Sequence, residues 1–309
     1  MSKLKVFVFA LLAAVASVAS AQAKPKAVFV ISNRANESQA FAAKQFEKYG
    51  SEFGFDLQTF DAKGDTMAES QIVTNAIAQK AKVIFVNPND INAIVPALMK
   101  AKQAGMIVGM FSSDLSPANQ KYRDFFAGVN DTMAGEQAAA AFMKHFPNGA
   151  KIVEIGGQAG HDAQIKRHDG FNKAIKGSKI QVMDYKACTQ WSTAEALAIM
   201  ENDIVKYGKD IQGVFVHWDN GATGVIQAAK AAGLSGLFIV GVDGNRAGYV
   251  QVKNGDQAVS IAQDFVLMTK TDLGLARDVL SGKKVQQINW VPLAVIDKDS
   301  VNTFEPPEW

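Results

Sequence analysis

The chain has 309 residues, 48% of them hydrophobic, 20% charged and 9% aromatic, with 25 Gly and 8 Pro. These proportions exclude a disordered, collagen-like or disulfide-stapled protein, and the length allows two domains with separate cores. Its 32 basic and 30 acidic residues contain no run of Lys or Arg, which excludes the strong basic excess that nucleic-acid binders use against phosphate.

The first segment, residues 1–23, differs in character from the rest. Lys3 and Lys5 precede an apolar run from Val6 to Val18, and Ala19-Ser20-Ala21 and Ala21-Gln22-Ala23 form two overlapping small-x-small sites. This reads as a secretory signal cleaved after Ala21 or Ala23. The apolar run is shorter than the roughly 20 residues of a spanning helix, and no cysteine stands at the cleavage region to carry a lipid. Losing Lys3 and Lys5 takes 32 basic residues to 30, equal to the 30 acidic ones. A soluble, periplasmic, formally neutral monomer is the expectation. Cys188, the single cysteine, permits an oxidising compartment without proving one.

From Lys26 onward short β-branched runs alternate with helical patterns. Strands are expected at 27–32, 57–61, 83–86 and 106–111, with helices at 37–49, 67–79 and 91–103 between them. Asn36 with Gln39 three residues on, and Asp65, read as helix caps. After a strand at 125–129 the rhythm restarts. Strands at 151–155, 180–185, 214–216 and 238–242 alternate with helices at 134–145, 163–175, 194–206, 222–232 and 247–253. A repeated βα unit means a parallel sheet covered on both faces. No Pro-rich or Ser-rich linker separates the halves, so two doubly wound α/β lobes joined by short crossovers, with a cleft between them, are expected.

Ligands of such sheets bind beyond the carboxyl ends of the strands. The residues there are polar: Asn33, Arg34, Asn36 and Glu37; Asn87, Asn89 and Asp90; Ser112, Ser113 and Asp114. In the second half they are Gln158, His161 and Asp162; Trp191; Trp218, Asp219 and Asn220; Asp243, Asn245 and Arg246. Amides, carboxylates and guanidinium groups beside indoles suit a hydroxylated ligand, whose hydroxyls need paired donors and acceptors and whose C–H face lies against an aromatic plane. Asn, Asp and Ser after strands also cap helices, so Asp90, Asp162 and Asn220 are equally explained as caps. Trp191 and Trp218 are harder to place in polar loops without a ligand to cover them.

Several stretches in this order carry a resemblance: Phe85-Val86-Asn87-Pro88 with Asp90, Glu154-Ile155-Gly156-Gly157-Gln158-Ala159-Gly160, and Arg167 before Gly170-Phe171. Val214-Phe215 with Asp219, Val240-Gly241-Val242-Asp243-Gly244 and Ile261-Ala262-Gln263 follow. The chain resembles the periplasmic sugar-binding proteins of the ribose/galactofuranose-binding group, with the type I periplasmic binding protein fold. The resemblance runs from Ala27 to about Leu293. It implies a first lobe of residues 24–128 plus 264–291 and a second of 129–263 plus 292–309.

The resemblance also implies roles. Asn87 and Arg167 match donors to the sugar, Asp243 a carboxylate accepting from two hydroxyls, Gln263 a hinge-proximal amide and Trp191 a stacking aromatic. Asp131 falls near a cleft Asn, and Trp218 replaces a residue that is usually polar. Two departures bear on ligand identity. The first loop carries Glu37-Ser38 where ribose binders commonly have aromatics, which looks more like the galactofuranose-binding branch. Ser112-Ser113 replaces an Asp-Arg pair, with Asp114 a shifted substitute. Arg34, Asn36, Glu37, Ser112, Asp114 and His161 are thus further candidates, and they admit a furanose or a more polar or acidic ligand.

The four histidines show no metal spacing, and those at 161 and 168 read as solvated helix residues. No G-x-S-x-G or phosphate-cradling G-K-[ST] pattern is present, and no cofactor is expected. For an enzyme of the same fold, Glu37 and Asp243 are the available acid and base. A sugar-responsive transcription regulator would need a DNA-binding segment before the first strand, where the secretory signal stands instead. The expected function is capture of a sugar or sugar-like polyol for an ABC permease, or for a sensor kinase or chemoreceptor.

Overall fold

The computed structural model describes residues 23–309; the secretory signal expected at 1–23 lies almost wholly outside the described residues. In chain order the first elements are β1 (Lys26–Ile31), α1 (Glu37–Gly50), β2 (Asp56–Asp61), α2 (Thr66–Ala78), β3 (Val83–Val86), α3 (Val95–Gln103), β4 (Ile107–Phe111) and β5 (Phe125–Gly128). Next come α4 (Asp131–His145), β6 (Ala150–Gln158), α5 (Asp162–Ile175), β7 (Ile180–Cys188), α6 (Thr193–Tyr207), β8 (Gly213–Val216), α7 (Asp219–Ala231), β9 (Phe238–Asp243) and α8 (Arg246–Asn254). The chain closes with β10 (Val259–Gln263), α9 (Phe265–Leu280), β11 (Ile288–Trp290) and β12 (Leu293–Asp297).

These elements make two six-stranded sheets, ordered β11-β5-β4-β3-β1-β2 and β12-β10-β9-β8-β6-β7. Every neighbouring pair is parallel except β10 with β12, which run antiparallel over Val259–Gln263 and Leu293–Asp297. The expected α/β architecture of two doubly wound lobes is what the chain forms. Inner strands such as β3 and β8 are buried at every position, because helices cover both faces, whereas the edge strand β2 is only partly covered. Alternation along β1 sends Phe29 and Ile31 into one core and Val28 and Val30 into another, one on each face of the first sheet. The first of these is dense in rings: Phe29 stacks on Phe46 of α1 at 4.0 Å between centroids and meets Phe111 edge-on. The second sheet repeats the arrangement, with Phe171 and Phe215 on one face and Met200 and Val225 on the other.

Several expectations shift. Asp65 caps α2 as read, accepting from the amides of Met67 and Ala68. Asn36 caps α1, but Gln39 does not complete a capping box; it is buried with its side-chain oxygen unpartnered. The helix expected from Ile91 begins at Val95, because Asp90 Oδ1 takes the amides of Asn92 and Ala93 into a preceding turn. Elements beyond Lys253 were not anticipated, and they include β10 and the sixteen-residue α9.

The chain passes between the sheets at residues 129–130, 264 and 291–292. The segment after β12 packs on the second lobe through Val301 and Phe304, beside Tyr249, Val252 and Ile296, and its last residue bridges to the first: Trp309 stacks on Phe41 of α1 at 5.5 Å and meets Phe265 edge-on at 5.0 Å. Two glycines let α4 and α5 touch backbone to backbone. A Cβ on Gly135 would strike the carbonyl of Arg167, and one on Gly170 the carbonyl of Thr132. That close approach carries Arg167 of α5 up to Asp131, the first residue of α4. Among the described residues no helix is long and apolar enough to cross a membrane.

Candidate functional site

The carboxyl ends of both sheets meet around a narrow hollow of about 20 Å3, its lining side chains drawn close together. The first lobe supplies Asn36, Ser38 and Gln39 from the start of α1 and Ser112 from the end of β4. The second supplies His161, Ala163, Arg167, Trp191, Trp218 and Asp243, and Gln263 at the end of β10 and Phe265 at the start of α9 flank the crossover between them.

Arg167 is 3% exposed and held from two sides. Its Nε donates to Asp131 Oδ1 at 2.7 Å and its Nη1 to the carbonyl of His217. The other N–H groups of the fork make no hydrogen bond among the described residues, and the guanidinium carbon lies 5.8 Å from the centre of the Trp191 ring. His217 is itself fixed: its Nε2 and His168 Nδ1 each stand 3.0 Å from Glu154 Oε1, at the buried middle of β6. Burial opposes the Glu154 charge, but the two imidazoles outweigh it and hold the carboxyl below its usual range.

Asp243 ends β9 with φ of 129°, and Ser112 opens the turn after β4 with φ of 60°, so two of the four non-glycine residues at positive φ among the described residues line the hollow. Burial and the neighbouring Asp219 carboxylate push the Asp243 carboxyl well above its ordinary range, against the pull of Arg167. Gln263 Nε2 donates to Asp243 Oδ1 at 3.0 Å. Asp219 is fully buried and accepts from Gly244 N, Ser260 Oγ and Gln257 Nε2, fixing the loop that carries Asp243.

The aromatic wall is a corner. Trp191 meets Trp218 edge-on at 5.5 Å and His161 edge-on at 5.3 Å. Gly157 on β6 makes the room, since a Cβ there would fall within the Trp191 ring. Burial, aided by Arg167 and Lys166, lowers the His161 pKa to about 3, so the ring is neutral at physiological pH. Its Nδ1 accepts from Ala163 N at 3.2 Å, which puts the proton on Nε2, 3.3 Å from Asn87 Oδ1 across the interlobe boundary. Asn87 is thereby oriented with its Nδ2 unpartnered.

Other contacts close the lobes on one another. Gln158 Nε2 donates to Asn89 O at 3.2 Å, Asp114 N to Asp162 Oδ2 at 3.0 Å, and Asn33 Nδ2 to Gln190 Oε1 at 3.4 Å.

Of the residues anticipated from sequence, Asn36, Ser112, His161, Arg167, Trp191, Trp218, Asp243 and Gln263 are brought together around the hollow. Asn87 and Asp131 stand behind it, each holding a lining side chain. Arg34 faces away, with Nη2 on Thr59 at 3.2 Å and near Glu47. Glu37 is exposed and lines neighbouring grooves instead. Asp114 is no substitute for a ligand-gripping Asp, because the Arg123 fork takes both its oxygens at 2.5 and 2.7 Å. His161 is buried rather than solvated, and His168 is only partly exposed, with its Nδ1 on Glu154. Ser38, Gln39, Ala163 and Phe265 were missed; Gln39 was legible only as a cap, although a buried amide in the first turn after β1 also fits a site. Among the described residues no group of three or more His, Cys, Asp or Glu could hold a metal ion.

Buried polar atoms without partners gather here: Gln39 Oε1, Asn87 Nδ2, Trp191 Nε1, Trp218 Nε1 and Gln263 Oε1. Folded proteins seldom leave such atoms unpaired, so several together mark where another molecule's donors and acceptors belong. Residues 27–284 match the family model described as periplasmic binding protein domain. The chain belongs to that family. The ribose import binding protein of Bacillus subtilis is 31% identical over 250 residues, covering 81% of this chain and 80% of the relative. That of Escherichia coli K12 is 28% identical over 298 residues, covering 96% and 99%. A crystal structure of a galactofuranose binding protein superposes with a TM-score of 0.85 at 20% identity, covering 90% of this chain and 96% of the other.

Proposed function

We propose that this periplasmic binding protein captures one neutral, hydroxyl-rich ring, a sugar or polyol, in the interlobe hollow and presents the closed form to an ABC permease. The observation that carries this reading is the set of unpaired buried donors and acceptors around Arg167, Asp243 and the two indoles. Relatives named for ribose import support the class of ligand and the transport role over a sensor kinase or chemoreceptor. The Arg167 fork donates, Asp243 and Gln263 Oε1 accept, and Trp191 and Trp218 offer apolar edges and faces to C–H groups. Two charge-assisted bonds from the Arg167 guanidinium at about 1.5 to 3 kcal/mol each, with neutral bonds to Asp243 and Gln263 at about 0.5 to 1.5 kcal/mol each, sum to about 4 to 9 kcal/mol, a range that spans the roughly 8 kcal/mol of micromolar affinity before ordering costs are subtracted. The signal at residues 1–23 supports periplasmic delivery, and a monomer suffices for the two-lobe closure. A catalytic reading loses its only acid–base pair, since Glu37 does not line the hollow that holds Asp243.

Thermal melts against a panel of pentoses, hexoses and cyclic polyols test the proposal. A bound ring present at 100 times its Kd stabilises by about 2.7 kcal/mol, a shift of several degrees. If no carbohydrate or polyol raises the melting temperature, the proposal fails.

A further inference from the structure

Beside the hollow, and sharing Asn36 and Trp191 with it, lies a second polar groove. Its volume is about 470 Å3, against about 20 Å3 in the hollow. One wall is Gln158, only 5% exposed, whose Nε2 is committed to Asn89 while its Oε1 has no partner. Trp191 Nε1, at the boundary of the two spaces, is also unpartnered. Glu195 is fully occupied by the amide and hydroxyl of Thr189 at 2.6 and 2.8 Å. No Lys or Arg lines the groove, and Glu37 stands at its edge. An acceptor, a donor and a carboxylate without a cation receive hydroxyls and repel phosphate or carboxylate groups.

We propose that this groove is a second subsite, taking a neutral, hydroxyl-bearing substituent attached to the ring held in the hollow. The ligand class then includes glycosides and disaccharides as well as the free monosaccharide. Trp191 would lie between ring and substituent, with the substituent's hydroxyls on Gln158 Oε1. This inference rests on the ring-binding reading given above.

Calorimetry on the full chain tests it, first with free sugars to find the ring that binds, then with that ring's methyl glycoside, glycerol glycoside and disaccharides. At least one substituted form should bind within tenfold of the free ring or tighter. Ala194→Trp and Ala35→Trp, both at exposed positions lining the groove, should weaken that form tenfold or more and leave the free ring within twofold. The inference is overturned if every substituted form binds more than tenfold more weakly than the free ring. It is equally overturned if neither variant separates the two ligands. If no free sugar binds either, the ring-binding reading itself fails, so the two failures are distinguishable.

Discussion

At the scale of single residues, the site depends on charges taken out of water and held by neighbours. Arg167 is committed on two sides before any ligand arrives, so its free N–H groups are aimed in advance, which limits the entropy lost on binding. Arg167→Lys keeps the charge and loses the fork; we expect affinity for the ring to fall 100-fold or more, measured by calorimetry, while Asn87→Ala loses about tenfold. A second buried acid is expected to set the response to pH. Glu69 is fully buried, accepts from Asn89 N at 3.0 Å and leaves Oε2 unpartnered; burial pushes its pKa up to about 8. Because the folded pKa lies above the ordinary value of 4.5, its contribution to stability is complete below about pH 4.5 and is lost as pH rises through 8. Glu69→Gln keeps the shape and removes the titration. Melting temperatures from pH 6 to 9 should therefore fall less steeply in the variant than in the parent protein.

At the scale of elements, the contact between α4 and α5 decides whether Arg167 reaches Asp131. Gly170→Val would drive a branched side chain into the carbonyl of Thr132. We expect about 1 to 3 kcal/mol of destabilisation in urea melts, the usual cost of overpacking, together with loss of ring binding. Much of this level was legible in the sequence. The run of β-branched strands and intervening helices fixed the sheet class, and the rule that ligands sit beyond strand carboxyl ends found Arg167, Asp243 and both tryptophans among local polar clusters. What was not legible depends on contacts between distant segments. Asp114 looked like a ligand until Arg123, nine residues on, was seen to fold back on it. The Glu154, His168 and His217 cluster needs β6 and β8 to be neighbours, although β7 separates them in the chain. Likewise α9, with its mixed pattern of Lys, Thr and Asp among apolar residues, declares itself only by packing on α1.

At the scale of the whole molecule, two lobes are tied by three short crossovers and meet through a few polar bonds, so opening costs little and closure can be driven by a ligand. Asp162→Ala removes the acceptor for Asp114 N without touching the hollow. It should favour the open arrangement and weaken ring binding about tenfold, while leaving the melting temperature of the ligand-free protein little changed. X-ray scattering should show the radius of gyration contracting when the ring is added to the parent protein. A ring that binds without contraction would contradict the hinge.

The narrowness of the hollow has a kinetic consequence. A solute as large as a sugar ring fits poorly past side chains drawn this close, so its residence time is expected to follow how often the hinge swings as well as its own hydrogen bonds. In chase experiments, labelled rings of different affinity should escape at similar rates. Unloading at the membrane would then fall to whatever pulls the two halves apart, and the transporter, not the cargo, would time the discharge.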